Sequence, residues 1–263
     1  MKKQVWIYSA CAVGLAIAAS AAILKTHSSA LNAVLAIEKA STRPDREIIA
    51  GLSQPYLGVL SSMYAREPQV GTDGAKHPLS KDTGVWASDG MYIYNLCKTV
   101  RPERTLEVGL AEGYSTVFFL AALQENGRGT HTAIDPFEKS DWNGIGVHKV
   151  EELGLQQRFR FMEAKSIYAM PQLGMEGKLF QIIFIDGDHR YDAQMLDFSL
   201  ADNILERDGY LLFHDTWMPS TRKLVAFILK NRPDYKSIPT GTNLAVFQKI
   251  GADKRDWQSF TEF

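Results

Sequence analysis

From Arg104 onward the chain alternates short apolar runs with helical patterns, and this alternation restricts the fold more than any other feature. A strand is expected over 105–108, running into Gly109, followed by a very apolar helix over 114–123 that Asn126-Gly127 ends. A second strand over 130–134 stops at Asp135-Pro136, and a helix over 147–155 leads to a third strand at 160–162. A short helix near Ile167 precedes the strongest strand signal, 180–185. The next helix carries Tyr191, Met195, Phe198, Ala201 and Leu205 on one face, with Gly209 placed as its C-terminal cap. A fifth strand, 210–213, ends at His214-Asp215, and Pro219 opens a last helix with Leu224, Phe227 and Ile228 inward. Strands at 235–238 and 244–247 flank Pro239-Thr240-Gly241-Thr242-Asn243, a hairpin signal. Strands alternating with helices imply an α/β fold, a Rossmann-like doubly wound seven-stranded sheet whose closing hairpin adds an antiparallel edge strand.

Upstream of this pattern the chain changes character. Lys2 and Lys3 precede a stretch, 5–24, without a charged residue, and Lys25 closes it. About twenty helical residues at 1.5 Å each span ~30 Å, the hydrocarbon thickness of a bilayer, so 1–25 is expected to be a single-pass transmembrane anchor or an uncleaved signal. Ser28-Ser29-Ala30 offers a cleavage site as the alternative. Lysines and arginines on the two sides are nearly balanced and do not set an orientation. Residues 26–84 read as a helical cap followed by a lid or linker: Leu31, Val34 and Leu35 share a helical face, Pro44 can open a second helix, and 68–84 gathers Pro, Gly, Asp and Lys.

Composition narrows the function classes. Lys+Arg 29 against Asp+Glu 30 over 263 residues gives a net charge of -1, without the positive excess of a nucleic-acid binder. The 11% aromatic content excludes disorder as a description of the whole chain. Of the two cysteines, Cys11 lies in the N-terminal apolar run, which leaves Cys97 alone in the folded part, without an internal disulfide and read as a small buried hydrophobe.

In an open parallel sheet, ligands bind beyond the carboxyl ends of the strands. Those positions hold Glu107-Val108-Gly109-Leu110-Ala111-Glu112-Gly113-Tyr114-Ser115, then Asp135, then Asp186-Gly187-Asp188-His189, then His214-Asp215. Gly109 and Gly113 allow a sharp turn and close backbone approach to a ligand at a helix N-terminus. The dinucleotide fingerprint fails, because Ala111 and Tyr114 stand where its second and third glycines belong, which disfavours a nicotinamide-dependent dehydrogenase. His131, within a strand, reads as a packed histidine, and Trp86, Tyr92 and Trp142 as pocket lining or core.

The segment 106–116 resembles motif I of the class I S-adenosylmethionine-dependent methyltransferases, and more closely the catechol O-methyltransferase-like and macrocin O-methyltransferase-like groups. The run from Phe184 to Tyr191, then Asp197, then Asp208 to Thr216, is similar to a subgroup that includes cephalosporin-hydroxylase-like proteins. The resemblance spans roughly 85–249 and implies a methyltransferase domain over 85–250 with a polar tail, 251–263. It implies S-adenosyl-L-methionine as cofactor: the loop Gly109 to Gly113 and Ser115 around its methionine part, Glu107 near the amino group, Asp135 on the ribose, Ser166 at the adenine, and Asp186 beside the reacting end. It also implies a divalent metal held by Asp186, His214 and Asp215, either Mg²⁺ or, given a histidine, Mn²⁺, Fe²⁺ or Zn²⁺. The base is expected to be Asp188, or else His189. The partner is then a small-molecule or sugar-like acceptor with a hydroxyl, without nucleic acid, and the oligomeric state is open. Cofactor supply favours a cytoplasmic face for a membrane-anchored enzyme. The alternative is a catalytically silent methyltransferase-like scaffold in a membrane assembly.

Overall fold

The computed structural model describes residues 44–81 and 83–263. The described residues open with one turn, α1 (Asp45–Ile48), and α2 (Tyr56–Tyr64), then a small antiparallel hairpin, β1 (Gln69–Val70) and β2 (Lys76–His77). Helix α3 (Ala87–Val100) leads into the main sheet. Its strands and helices follow as β3 (Arg104–Val108), α4 (Tyr114–Glu125), β4 (Thr130–Ile134), α5 (Ile145–Glu152), β5 (Phe159–Met162), α6 (Ser166–Met175), β6 (Phe180–Ile185), α7 (Tyr191–Ile204), β7 (Leu205–Phe213), α8 (Pro219–Asn231), β8 (Tyr235–Ile238) and β9 (Ala245–Lys249).

The seven strands lie in the order β5-β4-β3-β6-β7-β9-β8. β3 pairs in parallel with both β4 and β6, so the chain builds outward one way and then returns to build the other. That reversal opens a crevice between the ends of β3 and β6. There Gly109 N donates to Ile134 O and Asp186 N donates to Val108 O, each at 2.9 Å. The antiparallel strand is β9, inserted between β7 and the outermost β8.

The alternating side chains of each strand divide the core. Ile182, Phe184, Leu212 and Val246 face the layer of α2, α3 and α4, whereas Ile183, Ile185, Leu211, Phe213 and Phe247 face that of α6, α7 and α8. Helix α4 is enclosed on all sides: every residue from Tyr114 to Leu123 is buried, as its apolar run from Val117 to Leu123 requires.

Several expectations are corrected. Gly209 does not cap α7; it lies inside β7, which begins at Leu205 and carries an irregularity between the pairs Phe180–Leu205 and Ile182–Tyr210. Asp208, at φ 66, forms that bulge, and the strand resumes once it is passed. The tail 251–263 docks on α8: the buried Asn231 accepts from Thr261 N at 2.7 Å and donates to Thr261 O at 2.9 Å, while Phe263 meets Phe227 edge to face. The membrane placement is also withdrawn. No helix among the described residues is long and apolar enough to cross a membrane, and the expected anchor over 5–24 lies outside those residues.

Candidate active site

The glycine loop is shaped by its contacts. Gly109 (φ 96) passes so close to β6 that a Cβ there would stand 2.2 Å from the Asp186 carbonyl oxygen, and Gly113 (φ 85) meets the Gly146 Cα at 2.9 Å on the same test. Both combine a backbone conformation that favours glycine with a space that admits nothing larger. Asp135, buried at the end of β4, accepts from Leu110 N (3.1 Å) and Ala111 N (2.9 Å) through Oδ2 and from Phe137 N (2.8 Å) through Oδ1. It thereby braces the loop from beneath and keeps a lone pair on Oδ1 for a further donor. The resulting cleft is lined by 109–115, with Gly84 and Val85 on one side and Asp186 on the other.

A strap from the N-terminal part lies along this cleft. Glu112, also buried, accepts from Ser80 N at 2.6 Å and from Thr83 Oγ1 at 2.7 Å. Arg66 donates to Ser80 O and Thr83 O, and Tyr64 Oη to Val85 O. Nothing in the local pattern of 68–84 marked Glu112 as its partner.

A cluster of acids and imidazoles adjoins the cleft. His214, buried at the end of β7, points Nδ1 at Asp186 Oδ1 and Asp215 Oδ1, both at 3.3 Å, and Nε2 at Asp89 Oδ2 at 3.1 Å. Burial alone would push its pKa down, but the Asp186 and Asp89 carboxylates outweigh it and raise the pKa well above the usual value. Asp215 Oδ1 also accepts from Trp217 Nε1 (2.9 Å) and Asn243 Nδ2 (3.1 Å), while its Oδ2 faces His189 Nε2 at 3.5 Å. Asp215 reaches this position through a left-handed backbone (φ 54), which aspartate adopts more readily than most residues. Asp186, His189 and Asp215 each bring one ligand atom within 4.8 Å of the others. Three carboxylates set against one imidazolium leave an excess negative charge, and two oxygens with one nitrogen suit a divalent cation of the Mn²⁺, Fe²⁺ or Zn²⁺ type.

Comparison with known proteins bears on the same region. Residues 106–216, which contain the loop, Asp135, Asp186, His189 and His214-Asp215, match the family described as a methyltransferase domain. That segment is a methyltransferase domain of the class I S-adenosylmethionine-dependent kind. It is 26% identical over 162 residues to caffeoyl-CoA O-methyltransferase 2 of Petunia hybrida, covering 57% of this chain and 65% of that protein, so the match spans slightly less than two thirds of the relative. It is likewise 26% identical over 183 residues to a catechol O-methyltransferase of Niastella koreensis, covering 64% and 77% of the two chains. The O-methyltransferase TomG of Streptomyces achromogenes, solved with S-adenosylmethionine, shares the fold at a TM-score of 0.60 and 17% identity, over 79% of this chain and 96% of its own. The O-methyltransferase of Bacillus cereus solved with S-adenosylhomocysteine does so at 0.56 and 17%, over 78% and 95%.

Around this methyltransferase domain the expected site residues divide. Gly109, Gly113 and Asp186 line the cleft, and Asp135 holds the loop that forms it through Leu110 N and Ala111 N. Glu107 does not face it: it is wholly buried, and its oxygens take the hydroxyls of Ser115 (2.8 Å) and Thr116, with His131 Nε2 at 3.1 Å. Glu107 thus secures the start of α4, while Ser115 both bonds it and lines the cleft. Ser166, the first residue of α6, hydrogen-bonds Asp197, which burial holds up at about 6. Asp188, expected as the base, is exposed and bound by Arg190 through Nε and Nη2, and that hydrogen bonding lowers its pKa. His214, expected as a metal ligand, has carboxylates facing both its nitrogens, and His189 is the imidazole grouped with Asp186 and Asp215. Asp89 and Asn243 were not singled out by sequence. An acid at 89 on the inward stripe with Ile93 and Cys97 was the available signal, since a buried carboxylate is costly unless paired. Cys97 is buried as expected, and burial pushes its thiol pKa up.

Proposed function

We propose that this methyltransferase transfers a methyl group to a hydroxyl oxygen of a small-molecule acceptor. The observation that carries this reading is the contact between Gly109 and Asp186, which sets the glycine loop directly against the Asp186–His189–Asp215 cluster. S-adenosylmethionine, when bound, supplies a methyl group on a positively charged sulfur. The residues fit that group: the loop presents a tight glycine path at the start of α4, and Asp135 offers a free lone pair beside it.

The chain's own residues do the rest. The carboxylates of Asp186 and Asp215 favour positive charge at the reacting end. His189 Nε2, with Asp215 Oδ2 beside it to orient the ring, takes the proton of the acceptor hydroxyl as the oxygen becomes nucleophilic. Trp217, 57% exposed, and Tyr191, 36% exposed, present aromatic surface at the same end of the sheet, where an acceptor ring can pack. A divalent ion held by Asp186, Asp215 and His189 would replace that base: it would take up the His189 nitrogen and would itself supply the Lewis acidity that lowers the pKa of a bound hydroxyl. The relatives are named as O-methyltransferases of caffeoyl-CoA and catechol, which supports an oxygen acceptor.

The test is incubation of the full chain with methyl-labelled S-adenosylmethionine and catechol or simple monosaccharides, with added Mn²⁺ and with a chelator. Label on an acceptor oxygen, reduced at least tenfold in His189→Gln, is the expected result. Absence of transfer to every acceptor by a folded chain that binds S-adenosylhomocysteine would favour the silent-domain reading instead.

A further inference from the structure

We infer that Asp89 is a positioning residue for the proposed methyl transfer: acting through His214, it fixes where the Asp186 and Asp215 carboxylates stand. The inference rests on the transfer reading above. Asp89 lies in the first turn of α3, outside the matched domain region, and has no exposed surface. The rest of the inward face of α3 is apolar or glycine (Ala87, Gly90, Ile93, Tyr94 and Cys97), so the helix needs no acid there for packing.

The hydrogen-bond inventory defines what Asp89 does. An ionised carboxylate only accepts, so His214 Nε2, 3.1 Å from Asp89 Oδ2, carries a proton. With that nitrogen held, the ring cannot rotate, and Nδ1 is aimed between Asp186 Oδ1 and Asp215 Oδ1 at 3.3 Å from each. The two carboxylates are thereby gathered on one donor. A second arm runs in parallel: Asp89 Oδ1 accepts from the main-chain N of Asn243 at 2.9 Å, and the Asn243 side chain donates to Asp215 at 3.1 Å while accepting from Thr216 Oγ1 at 3.0 Å. One buried acid thus sets the ends of β6 and β7 and the turn before β9 against one another. Buried networks of this kind hold their members in a single arrangement only while each donor has its acceptor.

Asp89→Asn separates positioning from bulk structure. The amide keeps Oδ1 for Asn243 N, but opposes an N–H donor to His214 Nε2. In the full chain, the native protein should show a slowly exchanging, downfield Nε2–H proton of His214 by nuclear magnetic resonance, assigned by its absence in His214→Asn. That resonance should disappear in Asp89→Asn, while S-adenosylhomocysteine affinity stays within about twofold. With catechol as probe acceptor, kcat should fall at least tenfold at little changed KM for S-adenosylmethionine. Adding Asp89→Asn to His214→Asn should cause no further loss. A His214 Nε2–H resonance that persists in Asp89→Asn overturns the inference, as does an equal kcat loss on the His214→Asn background. If native protein transfers no methyl group to catechol or any other acceptor, the transfer reading fails, whereas the resonance still decides the Asp89–His214 arrangement.

Discussion

Glu138 is a carboxyl whose surroundings oppose its charge. It is 1% exposed, its Oε1 accepts from Val147 N at 3.0 Å, and its Oε2 has no hydrogen-bond partner among the described residues. Burial, with Asp135 adding repulsion, holds its pKa up at about 8 against an ordinary 4.5. The folded protein therefore keeps a proton that the unfolded chain releases above about pH 4.5, and stability falls as pH rises from there toward 8. Glu138→Gln should flatten that decline and melt a few degrees above the native protein at about pH 8, read from thermal unfolding across about pH 5 to 8. Parallel curves for the two proteins would contradict this. The same dependence on neighbours explains which single residues could be read in advance. Asp186 and Asp215 were legible because a strand end fixes where they point. The hold of Arg190 on Asp188 was not legible, nor was the contact of His214 with Asp89, which lies 125 residues earlier.

At the scale of elements, the contact of α3 with α4 depends on Gly90. A Cβ there would stand 2.0 Å from the Phe118 ring, which is itself fully buried. Alanine is better than glycine in a helix by about 1 kcal/mol, but forcing a methyl group into a packed contact costs about 1–3 kcal/mol, so Gly90→Ala should be net destabilising. Gly174, inside α6, meets nothing closer than the Ile204 side chain at 3.4 Å, so Gly174→Ala should gain about 0.5–1 kcal/mol. Urea midpoints measure both, and a stabilised Gly90→Ala would show that the two helices can move apart at little cost. Helix and strand positions followed readily from periodicity, since 130–134 and 180–185 fall on β4 and β6. The boundary near Gly209 did not, because a bulge in β7 and a helix cap use the same Asp-Gly signal.

For the whole molecule, alternating strands and helices were enough to anticipate a mostly parallel sheet with an antiparallel member. The insertion of β9 inside β8 was not legible, since a hairpin pattern does not say which of its strands joins the sheet. Nor was the Glu112 strap, which joins residues 29 and 32 positions apart. The crevice where the order reverses between β3 and β6 is the place for the methyl donor. Calorimetric titration of S-adenosylhomocysteine into the full chain and into Asp135→Ala measures this. Micromolar binding, about -8 kcal/mol, is expected, weakened at least tenfold once Leu110, Ala111 and Phe137 lose their acceptor. A folded native chain that takes up no ligand, or an Asp135→Ala variant that binds as tightly, would contradict it.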